Sequence, residues 1–433
     1  MAEKGIVCVT GAGGYVASWL VKLLLSKGYR VHGTVRDPGD AKNAHLKKLD
    51  NALEYLQLFK ADLLDYGSLN AAIAGCDGVF HTASPVPPGT VQNPEVELIE
   101  PAVTGTLNVL KACSEAKVKR VVVVSSVAAV SLNPNWPKNQ IMDEICWSDK
   151  EYCRETKNFY CLSKTLAESE AWEYAKRSGL DMVTICPTLV VGPMLQSTLN
   201  ASSQPILKLV KGLESVENRI WKIVDVRDVA EALLLVYEKL EAEGRYICCA
   251  HMIKTKELVD KLRSLFPNYN YPKNFIEAAD EGAKVSWEKL LQLGWKYRPL
   301  EETLVDTVKS YQESGPFPTP GPSSTTAGPP IFAPSWRVHS TDSGLQNRVV
   351  AREVIHHTWL PSDAQTLRPV SLEVLDRDQS AAIYQLICGS NHYHRMLSTA
   401  LDKLLGVQAA ALESERLMVA AQNERDAAVA AKA

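Results

Sequence analysis

Val9-Thr10-Gly11-Ala12-Gly13-Gly14-Tyr15-Val16-Ala17 joins a β-branched run to the first helical pattern of the chain. Residues 5–10 have the apolar make-up of a buried strand, and residues 15–26 carry apolar side chains at helical spacing. A glycine-rich turn at such a junction lets the backbone approach a pyrophosphate lying at the positive helix N-terminus. On this reading Gly11 permits the tight turn, Gly14 removes a side chain that would meet phosphate, and Ala17 lets helix and strand pack closely. An ordinary strand-to-helix turn is the bland alternative. The position near the N-terminus favours the nucleotide reading.

Working outward, extended runs are predicted at 30–35, 53–59, 78–81, 120–125 and 182–186, with helical stretches between them. Val121-Val122-Val123-Val124 is apolar without alternation, as a strand buried on both faces should be. Repeated strand–helix units predict an α/β fold, a Rossmann doubly wound parallel sheet, over residues 1–187. Residues 188–313 read as a smaller C-terminal substrate lobe. It has helices near 229–240, 256–265 and 300–311 and an extended piece at 245–249. Residues 314–334 are dense in Pro, Gly, Ser and Thr and read as a linker. Residues 335–433 read as an appended tail of unknown function, partly helical from 392 onward.

Composition narrows the function. The chain has 47 basic and 50 acidic side chains in 433 residues, a formal charge of −3. That balance argues against nucleic acid or an anionic membrane surface as partner. No apolar run reaches the roughly 18 residues of a membrane span. The N-terminus lacks a charged-then-apolar leader, so a cytoplasmic protein is expected. The ten cysteines show no Cys-x-x-Cys spacing. They read as small buried hydrophobes in a reducing compartment, and no metal is expected.

The end of the second strand distinguishes the dinucleotides. Gly33-Thr34-Val35-Arg36-Asp37 puts Arg36 where an NAD enzyme would carry an acid, and Lys42 follows. A guanidinium suits a 2′-phosphate, so NADP(H) is expected; a surface salt bridge is the alternative for Arg36. Asp62, after the third strand, either accepts from the adenine amino group or caps the next helix. His81-Thr82-Ala83-Ser84 ends the fourth strand with small residues that leave room for the nicotinamide ribose.

Tyr160 and Lys164 are four residues apart, on one helix face. An ammonium beside a phenol favours phenolate, so Tyr160 can hand a proton to a carbonyl oxygen receiving hydride. Lys164 can also hold the nicotinamide ribose. Ser126, at the end of the fifth strand, would hydrogen-bond that oxygen, with Ser125 as its competitor. Ser126 is preferred because it leads into the loop.

These motifs resemble the extended short-chain dehydrogenases and, among them, the plant cinnamoyl-CoA reductases. The resemblance is carried by residues 9–15, 34–37, 81–86, 157–164, 224–230 and 244–248, within about residues 4–313. Dihydroflavonol and phenylacetaldehyde-type reductases share most of it. It implies catalytic Ser126, Tyr160 and Lys164, with NADP contacts at Gly11, Gly14, Arg36, Lys42, Asp62, Thr82 and Pro187. With neighbouring positions, the expected cofactor set adds Thr10, Gly13, Tyr15, Val16, Leu63, Ala83, Ser84, Val190, Tyr160 and Lys164. The implied activity is reduction of a hydroxycinnamoyl-CoA thioester to an aldehyde. The family's Asn-Trp-Tyr-Cys-Tyr-Gly-Lys reads Asn158-Phe159-Tyr160-Cys161-Leu162-Ser163-Lys164 here, a change expected among pocket-facing neighbours. A simple aldehyde or a ketone, as in the dihydroflavonol type, therefore stays open as substrate. A sugar epimerase or dehydratase on the same fold would hold NAD, which Arg36 opposes. Arg245 is read either as a contact to a CoA phosphate or as a salt-bridged arginine. Cys153 and Cys161 would stand about 12 Å apart on one helix, too far for a disulfide; a loop before Asn158 would let them meet as a redox pair.

Overall fold

The computed structural model describes residues 4–85, 91–137, 140–278 and 282–313, all within one compact unit. The predicted linker and tail lie outside the described residues. The strands are β1 (Ile6–Thr10), β2 (Arg30–Val35), β3 (Leu56–Lys60), β4 (Gly78–His81), β5 (Arg120–Val124), β6 (Met182–Pro187), β7 (Leu189–Val191), β8 (Ser215–Asn218), β9 (Ile220–Asp225), β10 (Gly244–Cys248), β11 (His251–Lys254) and β12 (Asn274–Glu277).

Seven of them form one parallel sheet in the order β10-β6-β5-β4-β1-β2-β3. The order reverses between β1 and β4, where Thr10 pairs with His81. Strands diverging on either side of such a point leave a crevice at their carboxyl ends, the ligand-binding edge of doubly wound sheets. Both faces are covered. Val122 packs with the helices Tyr15–Ser26 and Val226–Glu238 on one side. Val121 and Val123 pack with the helices Tyr66–Ile73, Glu100–Glu115 and Phe159–Ser178 on the other. The unbroken valine run is thus the consequence of a strand with no solvent face.

Two boundaries differ from the sequence expectation. The strand predicted from 53 begins at Leu56, because Asn51 takes a left-handed backbone (φ 65°) and Ala52–Tyr55 coil into one helical turn. The segment after 187 also gives a strand to the main sheet: β10 pairs with β6 along Gly244–Cys248 and becomes its edge strand. The rest of that segment builds its own layer, the sheet β11-β9-β7. Its core holds Ile206, Ile223, Leu258, Leu262, Leu304 and Val308. The stretch 224–230 ties the layers together. Asp225 caps its helix, and Asp228 accepts the Arg298 amide and pairs with the Arg298 guanidinium. Among the described residues, no helix is long and apolar enough to cross a membrane.

Candidate active site

The glycine turn has the geometry its sequence predicts. Gly11 adopts φ +65°, and a Cβ there would lie 3.0 Å from the Ala83 Cβ. Its amide donates to Thr34 Oγ1 (3.0 Å) and the Ala12 amide to the Thr34 carbonyl (2.9 Å), fixing the turn against β2. A Cβ on Gly13 would meet Asn43 Oδ1 at 2.2 Å, and one on Gly14 the Gly11 carbonyl oxygen at 3.2 Å. The helix that follows has Gly14 as N-cap and no side chain capping it. The helices Glu100–Glu115, Ser203–Val210 and Thr255–Leu265 also lack a side-chain cap, so it is the glycine turn that sets this helix start apart. Uncapped amides behind a turn whose one side chain, the buried Ala12, lies against Gly33 fit a dinucleotide pyrophosphate.

The other expected cofactor positions fall along the same strand edge, with differing fates. Arg36 is exposed just beyond β2, and no ion pair among the described residues involves it. Lys42 pairs with Asp40 (2.7 Å). Asp62 does not cap the next helix; Asp65 does. Asp62 turns back to accept the Leu64 amide (2.9 Å) and stays exposed. Leu63 packs over Gly105, and its carbonyl accepts from Asn108 (2.9 Å). The Tyr15 phenol is buried and donates to the Gly192 carbonyl (2.8 Å), pinning the first helix to the chain beyond β7; Val16 beside it is half-buried. Pro187 and Val190 are buried where β6 ends and β7 runs.

Thr10 is fully buried, so its side chain is a hub and not a surface for the cofactor. Its oxygen accepts the Thr82 and Ala83 amides (3.1 Å each) and bonds His81 Nδ1 (3.0 Å). Since two N–H groups already enter that oxygen, its hydroxyl proton goes to Nδ1. His81 Nε2 then donates to Thr106 (3.1 Å). Burial first, and then the Lys164 charge, push the His81 pKa down to about 3. This chain, unnoticed in the sequence, shapes the turn at 82–84.

The helix Phe159–Ser178 carries the phenol and ammonium. Asn158 caps it through the Cys161 amide (3.2 Å). Tyr160 is exposed (38%) at its first turn, and Lys164 is buried (8%) one turn on. Lys164 lines a crevice with His81, Ala83, Ser84 and Ser125. The short turn Val127–Ala129, capped by Ser126, packs against this helix. Ser126 Oγ accepts the Ala128 amide (3.1 Å), which leaves its own proton to donate. Ser125 donates instead to Glu168 (2.6 Å) and is buried, which removes it from competition.

For Arg245 the salt-bridged reading holds, and the CoA-phosphate contact is corrected. It is 7% exposed and held by Glu168 through Nε (2.7 Å) and a second guanidinium nitrogen (3.2 Å), with Trp147 stacked on it at 3.8 Å. It belongs to the interior, so it does not meet a CoA phosphate; β10 pairing with β6 turns it inward. Leu162 and Ser163 are buried (1% each), and Leu162 packs with Cys153 and Ile99, with Phe159 half-buried against the same cluster. Cys153 and Cys161 share one apolar cluster. Their helices are broken at 156–158, where Lys157 takes φ +55°. Both thiols are free. Burial, and then Cys153, push the Cys161 thiol up to about 12, so little thiolate exists near neutrality.

The pattern of the NAD dependent epimerase/dehydratase family matches residues 7–249. "Cinnamoyl-CoA reductase 1" of Petunia hybrida is 50% identical over 319 residues, covering 73% of this chain and 94% of its own. "Cinnamoyl-CoA reductase 2" of Medicago truncatula is 49% identical over 318 residues, covering 72% and 93%. Among solved structures, vestitone reductase from alfalfa (Medicago sativa) superposes with a TM-score of 0.64 at 33% identity, covering 72% of this chain and 99% of its own. A yeast methylglyoxal/isovaleraldehyde reductase complexed with NADPH superposes with a TM-score of 0.63 at 28% identity, covering 71% and 98%. This chain belongs to the NAD dependent epimerase/dehydratase family and is a nicotinamide-dependent oxidoreductase of its cinnamoyl-CoA-reductase-like branch.

Proposed function

We propose that the chain is an NADPH-dependent reductase that converts a phenylpropanoid-type acyl-CoA thioester into an aldehyde. The observation that carries the reading is the seating of the Ser126 turn on the helix that bears Tyr160 and Lys164, with Lys164 reaching the crevice lined by Ala83 and Ser84. The half-identity to cinnamoyl-CoA reductases supports the thioester. Arg36, exposed and outside any ion pair among the described residues, supports the 2′-phosphate.

The bound dinucleotide supplies the hydride. The turn 11–14 and the helix N-terminus behind it would hold the pyrophosphate, and Arg36 would pair with the 2′-phosphate. Ser126 donates its free hydroxyl proton to the carbonyl oxygen and orients it. Tyr160 delivers a proton to that oxygen as carbon is reduced, and Lys164 stabilises the resulting phenolate. The thiohemiacetal then loses its hydroxyl proton, the C–S bond breaks, and the sulfur leaves with a proton as free thiol.

Replacing Tyr160 by Phe tests the assignment. NADPH consumption with hydroxycinnamoyl-CoA thioesters should fall by about 10²–10⁴ in kcat, with dinucleotide affinity retained. Undiminished turnover would remove Tyr160 from the chemistry.

A further inference from the structure

We propose that the buried Glu168–Arg245 ion pair is the positioning device for the reacting groups, locking the Ser126 turn to the helix that carries Tyr160 and Lys164. The inference rests on Ser126, Tyr160 and Lys164 being those groups.

Glu168 lies one helical turn beyond Lys164 and two beyond Tyr160, on the same face. It lines the crevice with Lys164 yet has no part in the proton transfer. It is 2% exposed, and its partner Arg245 is 7% exposed. An apolar pair of similar volume would pack as well or better, because desolvating two charges offsets most of their attraction. A buried ion pair at this place therefore calls for a reason other than stability, and the destinations of its bonds supply one. Glu168 accepts from Ser125 (2.6 Å), the residue before Ser126, and from Thr184 of β6 (3.0 Å). Arg245 fills the rest of the carboxylate with two bonds, at 2.7 and 3.2 Å. Its N–H groups also reach the Ala129 carbonyl (3.4 Å), in the turn capped by Ser126, and the Glu144 (3.0 Å) and Cys146 (2.5 Å) carbonyls of the loop beyond it. The chain on both sides of Ser126 is thus held by the two members of one pair, and one of those members is rooted in the helix of Tyr160. Rotation or sliding of that helix against β5 would break charge-assisted bonds on both sides.

Three variants test this, beside Y160F. Glu168→Asp keeps the charge but withdraws it by about 1.5 Å, one C–C bond, so Ser125 and Arg245 cannot both be reached. Ser125→Ala leaves the ion pair whole and cuts only the link to the strand end. Glu168→Gln combined with Arg245→Met removes both charges, so no unpaired ion is left inside. With thermal midpoints above the assay temperature, kcat in E168D and S125A should fall about ten- to hundredfold, with thioester KM and NADPH Kd within about threefold of the parent. The double variant should fold and stay slow. A folded E168D or S125A with parental kcat overturns the proposal, as does recovery of parental kcat in the double variant. S125A decides the matter if E168D does not fold. If Y160F is inactive while E168D and S125A are parental, only the positioning role falls. If Y160F keeps its turnover, the catalytic assignment falls and takes this role with it.

Discussion

His81 gives the chain a pH-sensitive stability that can be isolated by one substitution. Its imidazole is fully buried, and both nitrogens are engaged, by Thr10 at 3.0 Å and by Thr106 at 3.1 Å. The Thr10 oxygen already receives two amide N–H groups, so it cannot accept a proton from Nδ1 without releasing one of them. Burial, reinforced by the Lys164 charge, accordingly lowers the pKa from 6.5 to about 3. Above pH 6.5 the ring is neutral whether the chain is folded or not, and it contributes no pH dependence. Below that, the unfolded chain takes up a proton that the folded chain refuses. Stability then falls by about 1.4 kcal/mol per pH unit, down to the folded pKa. Between pH 7.5 and 5.0 this amounts to about 2 kcal/mol from His81 alone. His81→Gln keeps a donor toward Thr106 and cannot titrate. Urea unfolding of both proteins at pH 7.5 and 5.0, followed by tryptophan fluorescence, yields the difference directly. The parent should lose about 2 kcal/mol more than the variant. Equal losses in the two proteins would refute the reasoning.

Other outcomes follow from the same geometry. Arg36→Ala should weaken NADPH by about tenfold or more and leave NADH nearly unchanged, since a charge-assisted bond to the 2′-phosphate contributes about 1.5–3 kcal/mol; fluorescence titration with both dinucleotides reads this. Gly11→Ala places a side chain at φ +65° against Ala83. It should cost about 1–2 kcal/mol of stability and lower dinucleotide affinity, both visible in melting curves with and without NADPH. Asn158→Ala removes the cap of the Tyr160 helix and should cost about 1 kcal/mol in urea unfolding.

What the sequence reveals here is what nearest neighbours along the chain determine. The turn 11–14 follows from glycines that local backbone geometry demands, and the valine run at 121–124 from burial on two faces. The Tyr160–Lys164 pair follows from helical spacing. What escapes is set by partners far away in the chain. Arg245 stays open between a phosphate contact and a salt bridge until β10 is placed beside β6 and Glu168, 77 positions earlier, comes within 2.7 Å. Thr10 belongs to the glycine motif by position, yet its side chain serves His81, 71 residues away. Asp62 and Asp65 both precede a helix, and only the backbone path shows which one caps it. The meeting of Cys153 and Cys161 turns on a single left-handed residue, Lys157, which no pattern of apolar spacing announces.

The late arrival of β10 shapes how a nascent chain matures. Synthesis delivers β1 to β6 first, and the outer side of β6 stays unpaired until residues 244–248 leave the ribosome. Until then the growing polypeptide bears an open strand edge, the kind of surface that recruits other chains. Its Glu168 carboxylate also waits without its guanidinium. The strand that then pairs with β6 is the one that carries Arg245, and its own outer side meets the Glu144 and Lys289 side chains. Pairing of β6 and completion of the Glu168–Arg245 ion pair are therefore one event.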